Sequence, residues 1–515
     1  MSKPNTAKSS PFSHAVRDQI EAFAMAILMA IGLKYFLVEA FQIPTPSMQP
    51  VLMGSPSTGI HDRILVDKAA YLTNKPDRWH VAVFRYPHNQ SQNYVKRIVG
   101  LSDEKLRIFN GDIYKNYPAQ GDKAPYWETV RKPRGLQDHL WKEMWSQNAE
   151  DRASIARMFA IDRGLGGTWS VDNDGTVHAK TVGGEATRTT LEMVKPENRY
   201  ADGYPRELRA KLAEEANGGE NLVVADVDWR ANVTTTDATK AIELRAVEQT
   251  SAGKSLAWRV RVERGGDGRG KVTLDWFAKG SDLLRSKEPT QRVTAEDTIA
   301  FGAGSEFELR LANWDDQCFG SAGGVALGPI TYRTDFDATI GLAMEIVVEG
   351  NADIRGTTLA RDNTYERWLD DQGRFSNDVV HVPPGHCWML GDNQRNSDDG
   401  RTWRRMTLWQ KDGKIVAPET GDPITGNARF EFENRPGSLG VDENPVVVPQ
   451  KGRIVFTDLY GEEHVLEGTP DDLLRSARFW RVEDQEENAR FVPERFFVGR
   501  AFATFFPISR LGLIR

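Results

Sequence analysis

The chain has 515 residues, 27% of them charged, with a net charge of −7 and two cysteines. That length exceeds one ordinary core and calls for two or three domains. The acidic balance excludes a nucleic-acid partner that needs a basic face, and Cys318 and Cys387 exclude a disulfide scaffold; both read as free, mostly buried thiols. Residues 1–19 form a polar tail. From Ala22 to Phe41 the chain is nearly all apolar, and the run matches the ~20 residues a bilayer core requires. A transmembrane helix is expected over 20–41. Lys3, Lys8 and Arg17 precede it, which places the N-terminus in the cytoplasm. A buried amphipathic helix and a cleaved signal peptide are competing readings. The all-round apolar character disfavours the first; the second has only Val38-Glu39-Ala40 as a poor cleavage site.

A proline-rich turn follows, Ile43-Pro44-Thr45-Pro46-Ser47-Met48-Gln49-Pro50. Asp62 to Lys68 and Tyr94-Val95-Lys96-Arg97-Ile98-Val99-Gly100 have strand character. Alternation places Lys96, Ile98 and Gly100 on one face. Residues 117–379 begin with a tryptophan-rich stretch, Leu136 to Trp145, read as a helix, with a second helix around Tyr204 to Ala216. From Leu222 short alternating runs separated by Gly- and Asp-rich turns predict an antiparallel β-sandwich. Its Leu309–Asp316 segment is weakly similar to jelly-roll domains that often bind sugars. Core packing is the expected role of its tryptophans. Asp315, Asp316 and Asp335 have no calcium-loop spacing and read as turn acids. A third motif is Gly391-Asp392-Asn393-Gln394-Arg395-Asn396-Ser397-Asp398-Asp399-Gly400-Arg401. After it come residues 404–490, with a β-like run at Lys451–Thr457, and a last segment, 491–515.

A serine hydroxyl is a weak nucleophile and needs a base within hydrogen-bond reach. None of the nine histidines stands in a triad setting. A lysine serves if it is neutral, which requires burial. Singly, a strand lysine is usually a solvated charge and a serine after prolines a turn residue.

Together and in order, the three motifs resemble the three boxes of bacterial type I signal peptidases, membrane-anchored Ser–Lys proteases. The resemblance covers 15–116, 380–403 and 491–515. It implies a β catalytic core in parts 42–116, 380–403 and 491–515 and one N-terminal membrane helix; with the runs read above, the expected fold is mainly β, with a large insertion at 117–379, helical at its start and then a jelly-roll-like β-sandwich, and a second insertion at 404–490. It implies Ser47 as nucleophile, Lys96 as general base, and Thr45 with the Ser47 N–H as an oxyanion hole. Ser397 matches the serine that hydrogen-bonds the lysine. Asp399 and Arg401 match a supporting ion pair, with Asp392 and Asn393 beside them. Phe41, Gln42, Ile43, Pro44 and Val95 match substrate-pocket positions. No cofactor or metal is implied. The implied partners are the signal peptides of exported preproteins, the lipid bilayer and the export translocon. The implied location is the cytoplasmic membrane, single-pass, with the catalytic part outside.

The chain departs from the family pattern at Pro46 and Gly400, at His61 where glycine precedes Asp62, and at Leu101-Ser102-Asp103-Glu104. Two further readings compete with the peptidase. One is a membrane-tethered binding or scaffold protein on a retired protease fold, working through the sandwich. The other is a self-cleaving Ser–Lys repressor, disfavoured because the chain begins with a membrane helix.

Overall fold

The computed structural model describes residues 11–193, 224–366, 379–427, 453–468 and 490–515, apart from short gaps, and a few positions between these spans. The helix expected over 204–216 lies largely outside them, as do Asp335 and half of 471–478.

Helix α1 spans Pro11–Phe36. Its side chains from Ile20 to Ile31 leave Phe23, Met25, Leu28 and Met29 exposed. No helix among the described residues is long and apolar enough to cross a membrane. The apolar run also divides differently from the expected 20–41 helix. Residues 38–41 belong to strand β1 (Val38–Gln42), which pairs antiparallel with β2 (Arg63–Asp67). The backbone there bonds to a neighbouring strand, so hydropathy alone misplaced the helix end.

The core sheet continues with β3 (Val81–Tyr86), β4 (Asn89–Gly100), β5 (His386–Leu390), β6 (Phe491–Pro493) and β7 (Phe497–Phe506). Its order is β1-β2-β7-β3-β4-β5-β6. Every adjacent pair is antiparallel. Segments that are hundreds of residues apart in sequence therefore alternate in one sheet. β-branched and aromatic residues fill both faces: Ile43, Ile64, Val66, Val81 and Val83 make one cluster, and Ala82, Phe84, Ile98, Met389 and Trp403 another.

Residues 142–361 contain, among the described residues, antiparallel sheets of eight and seven strands. Period-2 alternation sends Trp229, Ala231 and Val233 of one sheet and Leu342, Met344, Ile346 and Val348 of the other into a single apolar cluster. Trp145, Trp229, Trp258, Trp276 and Trp314 are all buried, which is the core-packing role. The helix read over 136–145 ends at Leu140. Residues 142–146 instead form a strand against Ala352–Arg361, and that tertiary pairing outweighs helix propensity. Asp315 and Asp316 join paired strands at Trp314 and Gln317 with φ of 51° and 57°, a two-residue hairpin turn. Unlike ordinary turn acids, they point inward. Asp315 Oδ2 accepts the Lys132 N–H at 2.6 Å, and Asp316 Oδ2 accepts from Tyr114 Oη at 3.3 Å and from Thr129.

Residues 405–480 contribute a further sheet with its own small core of Met406, Leu408, Ile454, Phe456 and Leu466. Its two ends meet: a Cβ on Gly400 would lie 2.8 Å from Arg490 O and 2.6 Å from Trp388 Cδ1, so Gly400 has no room for a side chain. Cys318 and Cys387 are free and buried. Burial pushes the Cys387 thiol up to about 12.

Candidate active site

Ser47 lies in a single 3-10 turn, Pro46–Met48, with Pro46 fixing φ at its first position. The turn is held from two sides. Asn393 bonds to it twice: its N–H donates to Ser47 O at 3.0 Å and its Nδ2 to Pro46 O at 3.0 Å. On the other flank Arg510 Nη2 donates to Pro50 O and Val51 O, each at 3.1 Å, and Arg510 Nε to Asp62 Oδ1 at 2.8 Å. Asp62 Oδ2 in turn accepts the Met53 N–H at 2.7 Å. His61, one residue earlier, places Nδ1 3.0 Å from Ile43 O.

Strand β4 brings Lys96 opposite Ala82 of β3. The pleat turns its side chain toward the Ala82 and Ile98 side of the sheet. Lys96 is 2% exposed and Ser47 3%. Lys96 Nζ donates to Ser47 Oγ at 2.5 Å. The Tyr94 ring centroid is 5.7 Å from the same nitrogen.

A cavity of about 400 Å³ opens onto this pair. Phe41, Gln42, Ile43, Pro44, Thr45, Ser47, Val95 and Lys96 line it, together with Met48, Val83, Gln92, Asn93 and Tyr94. The two strands β1 and β4 supply most of its walls.

The third motif packs behind the turn. A Cβ on Gly391 would fall 2.1 Å from Ser397 Oγ and 2.5 Å from Ser47 O, so only glycine permits this approach. Asp399 and Arg401 form a buried bidentate pair, Nε–Oδ1 2.8 Å and Nη2–Oδ2 2.7 Å. Burial alone would raise the Asp399 carboxyl. The Arg401 charge, its hydrogen bonds and the Gly391 N–H outweigh that and hold it below the usual carboxylate range. Ser397 differs from its expected role: its Oγ is buried with no hydrogen-bond partner among the described residues, so no bond to Lys96 forms.

Two contributors carried no separate role in the sequence reading. Arg97 pairs bidentately with Asp392, Nε–Oδ1 2.8 Å and Nη2–Oδ2 2.7 Å, both side chains fully buried. Its neighbourhood in the Lys-Arg-Ile-Val-Gly motif was the available signal. Arg510 had none, lying 448 positions from its partner. Lys142, Asn363 and Glu366 also reach this motif. Asn363 Nδ2 donates to Asp392 Oδ1 and Lys142 Nζ to Asp392 O, each at 3.4 Å, and Arg401 Nη1 donates to Glu366 O at 3.1 Å.

Metal-ligating side chains gather elsewhere. Asp112, Asp226, Asp315 and Asp362 bring carboxylate oxygens within 4.8 Å of one another. Lys132 Nζ pairs there with Asp315, and with Asp362 at 2.9 Å, supplying a counter-charge. Burial, with the neighbouring carboxylates, pushes the Asp112 and Asp226 carboxyls well up. Asp458, Glu462 and His464 form a second group.

The family model for signal peptidase, peptidase S26, matches residues 16–158 and 345–430, which contain all three motifs. In those residues the chain is similar to the S26 signal peptidases. Signal peptidase I of Pseudomonas aeruginosa is 39% identical over 99 residues, 17% of this chain and 33% of that protein. Signal peptidase I of Buchnera aphidicola is 35% identical over 100 residues, 17% of this chain and 30% of that protein. The chain spans half or less of the length of the curated relatives it matches. Among solved structures, a protein with a galectin-like fold from Bacillus subtilis aligns at 9% identity over 43% of this chain and 98% of its own, with a TM-score of 0.28.

Proposed function

We propose that the protein is a membrane-bound serine endopeptidase that removes N-terminal signal peptides from exported preproteins by acyl transfer. One observation carries the reading: the buried contact of Lys96 Nζ with Ser47 Oγ at 2.5 Å. A dry environment favours the free amine that a base requires. Ser47 Oγ attacks the scissile carbonyl carbon while Lys96 takes its proton. Thr45 Oγ1 and the Ser47 N–H receive the oxyanion. Lys96 then protonates the leaving amine, which departs as the new N-terminus of the exported protein. Water, giving a proton to Lys96, attacks the acyl carbon, and Ser47 Oγ leaves with that proton returned from Lys96. Asp399, Arg401, Asp392 and Asn393 position the turn, and Ser397 fills space beside Gly391.

The cavity between β1 and β4 suits an extended peptide with small side chains, met by Phe41, Gln42, Ile43, Pro44 and Val95. The exposed apolar residues of α1 support a bilayer as partner, with the N-terminus cytoplasmic, the catalytic part outside, and the export translocon nearby. The two sheets of residues 142–361 are read as a sandwich inserted into the catalytic core, and 404–490 as a second insertion.

The test is cleavage of a purified preprotein with an Ala-x-Ala site by the full chain in detergent. Wild type cleaves, while Ser47→Ala, Lys96→Ala and Lys96→Arg do not, since arginine stays charged. Near-normal turnover by a folded Lys96→Ala variant removes the assignment.

A further inference from the structure

A second cavity, of about 500 Å³, lies where the inserted sheets meet the core, within the range of small-molecule sites, roughly 300–1,000 Å³. Asn110, in the hairpin turn between core strands Lys105–Phe109 and Asp112–Tyr117, closes one side. Its Nδ2 donates to Asp337 O at 3.0 Å and its Oδ1 accepts the Thr339 N–H at 3.2 Å. The charges in the cavity do not balance. Lys254 pairs with Asp337 at 3.0 Å. Lys279 and Arg333 also line it and form no ion pair among the described residues; the Arg333 guanidinium rests 5.1 Å from the Tyr126 ring centroid. The remaining acid, Glu248, is 5% exposed and accepts a hydrogen bond from Thr339 Oγ1. Trp276, 8% exposed, keeps its indole Nε1 buried without a partner. Ser255 and Ser281 add hydroxyls.

We propose that this cavity binds a compact hydroxylated anion, the chemistry shared by sugar acids and sugar phosphates. Lys279 and Arg333 meet its charge, and Glu248, Ser255 and Ser281 meet its hydroxyls. An uncompensated pair of cations disfavours a neutral ligand. Burial pushes the Glu248 carboxyl up to about 7, with Thr339 opposing and Asp316 adding to the rise. Below that pH Glu248 is a neutral donor; above it, its charge repels the ligand. Lys254, Lys279, Arg333 and Asp337 are the other titratable groups that line the cavity.

The proposal goes beyond the peptidase reading and is tested apart from it. Glucuronate, glucose 6-phosphate and glucose are titrated calorimetrically into the full chain in detergent. Both anions bind and glucose does not. Arg333→Gln and Lys279→Gln, both at exposed positions and checked for unchanged melting, each weaken binding by about tenfold. Binding is tighter at pH 6 than at pH 8, and Glu248→Gln removes that difference. Ser47→Ala binds as wild type does, so loss of cleavage leaves this result standing. Silence from both anions, equal binding of glucose, or full affinity in the Arg333→Gln/Lys279→Gln double variant overturns the proposal.

Discussion

Arg510 Nε lies 2.8 Å from Asp62 Oδ1, and the same guanidinium donates to Pro50 O and Val51 O. This one side chain fixes the exit of the turn that carries Ser47. Arg510→Met keeps the stem and removes the donors. The expected outcome is a kcat on preprotein lower by roughly 10²-fold, the cost of a small misplacement of a reacting group, with a smaller change in KM. Steady-state kinetics checks it; an unchanged kcat means the turn holds without its brace.

Thr45 lines the cavity beside Ser47. Thr45→Val removes a hydroxyl and keeps the branched shape. If that hydroxyl stabilises the oxyanion, turnover falls by roughly 10²–10³ while melting is unchanged. Single-turnover acylation measures the step directly.

Ser397 gives an opposite expectation. Its hydroxyl is buried with no partner, so Ser397→Ala removes an unmet polar group. The variant is expected to melt at or above the wild-type temperature, by a gain of about 1 kcal/mol, and to keep its turnover within a few-fold. Loss of activity with an unchanged melting point would mean that the hydroxyl swings to Lys96 once substrate is bound.

Asp112 and Asp226 are held above the usual carboxylate range, chiefly by burial. A raised folded-state value means that the stability from the protonated form is complete below about pH 4 and is lost as pH rises through the folded value. Asp112→Asn cannot lose a proton. Its melting temperature relative to wild type should therefore climb between pH 5 and pH 9. A pH-independent difference would show that Lys132 leaves Asp112 ionised throughout.

The mainly β character was legible because alternation is a local signal: Leu342, Met344, Ile346 and Val348 announce a buried strand face without any partner. The meeting of Ser47 and Lys96 was legible through motif order. What failed was information held by partners elsewhere in the chain. Residues 38–41 look like the end of an apolar helix until Arg63–Asp67 offers a ladder. Trp145 looks helical until Leu359 lies opposite it. Asp103, where the family carries glycine, takes φ of 64° without glycine's freedom. The inward aim of Asp315 depends on Lys132, 183 residues away.

The bracing of the Ser47 turn also has a consequence in time. Ser47 is made early, whereas Asn393 and Arg510 come hundreds of residues later, Arg510 only after residues 404–490 as well. A growing chain thus carries an unbraced Ser47 turn through most of its synthesis. The turn is set late, when residue 510 closes the brace, so a product truncated before it lacks the geometry on which the proposed cleavage depends.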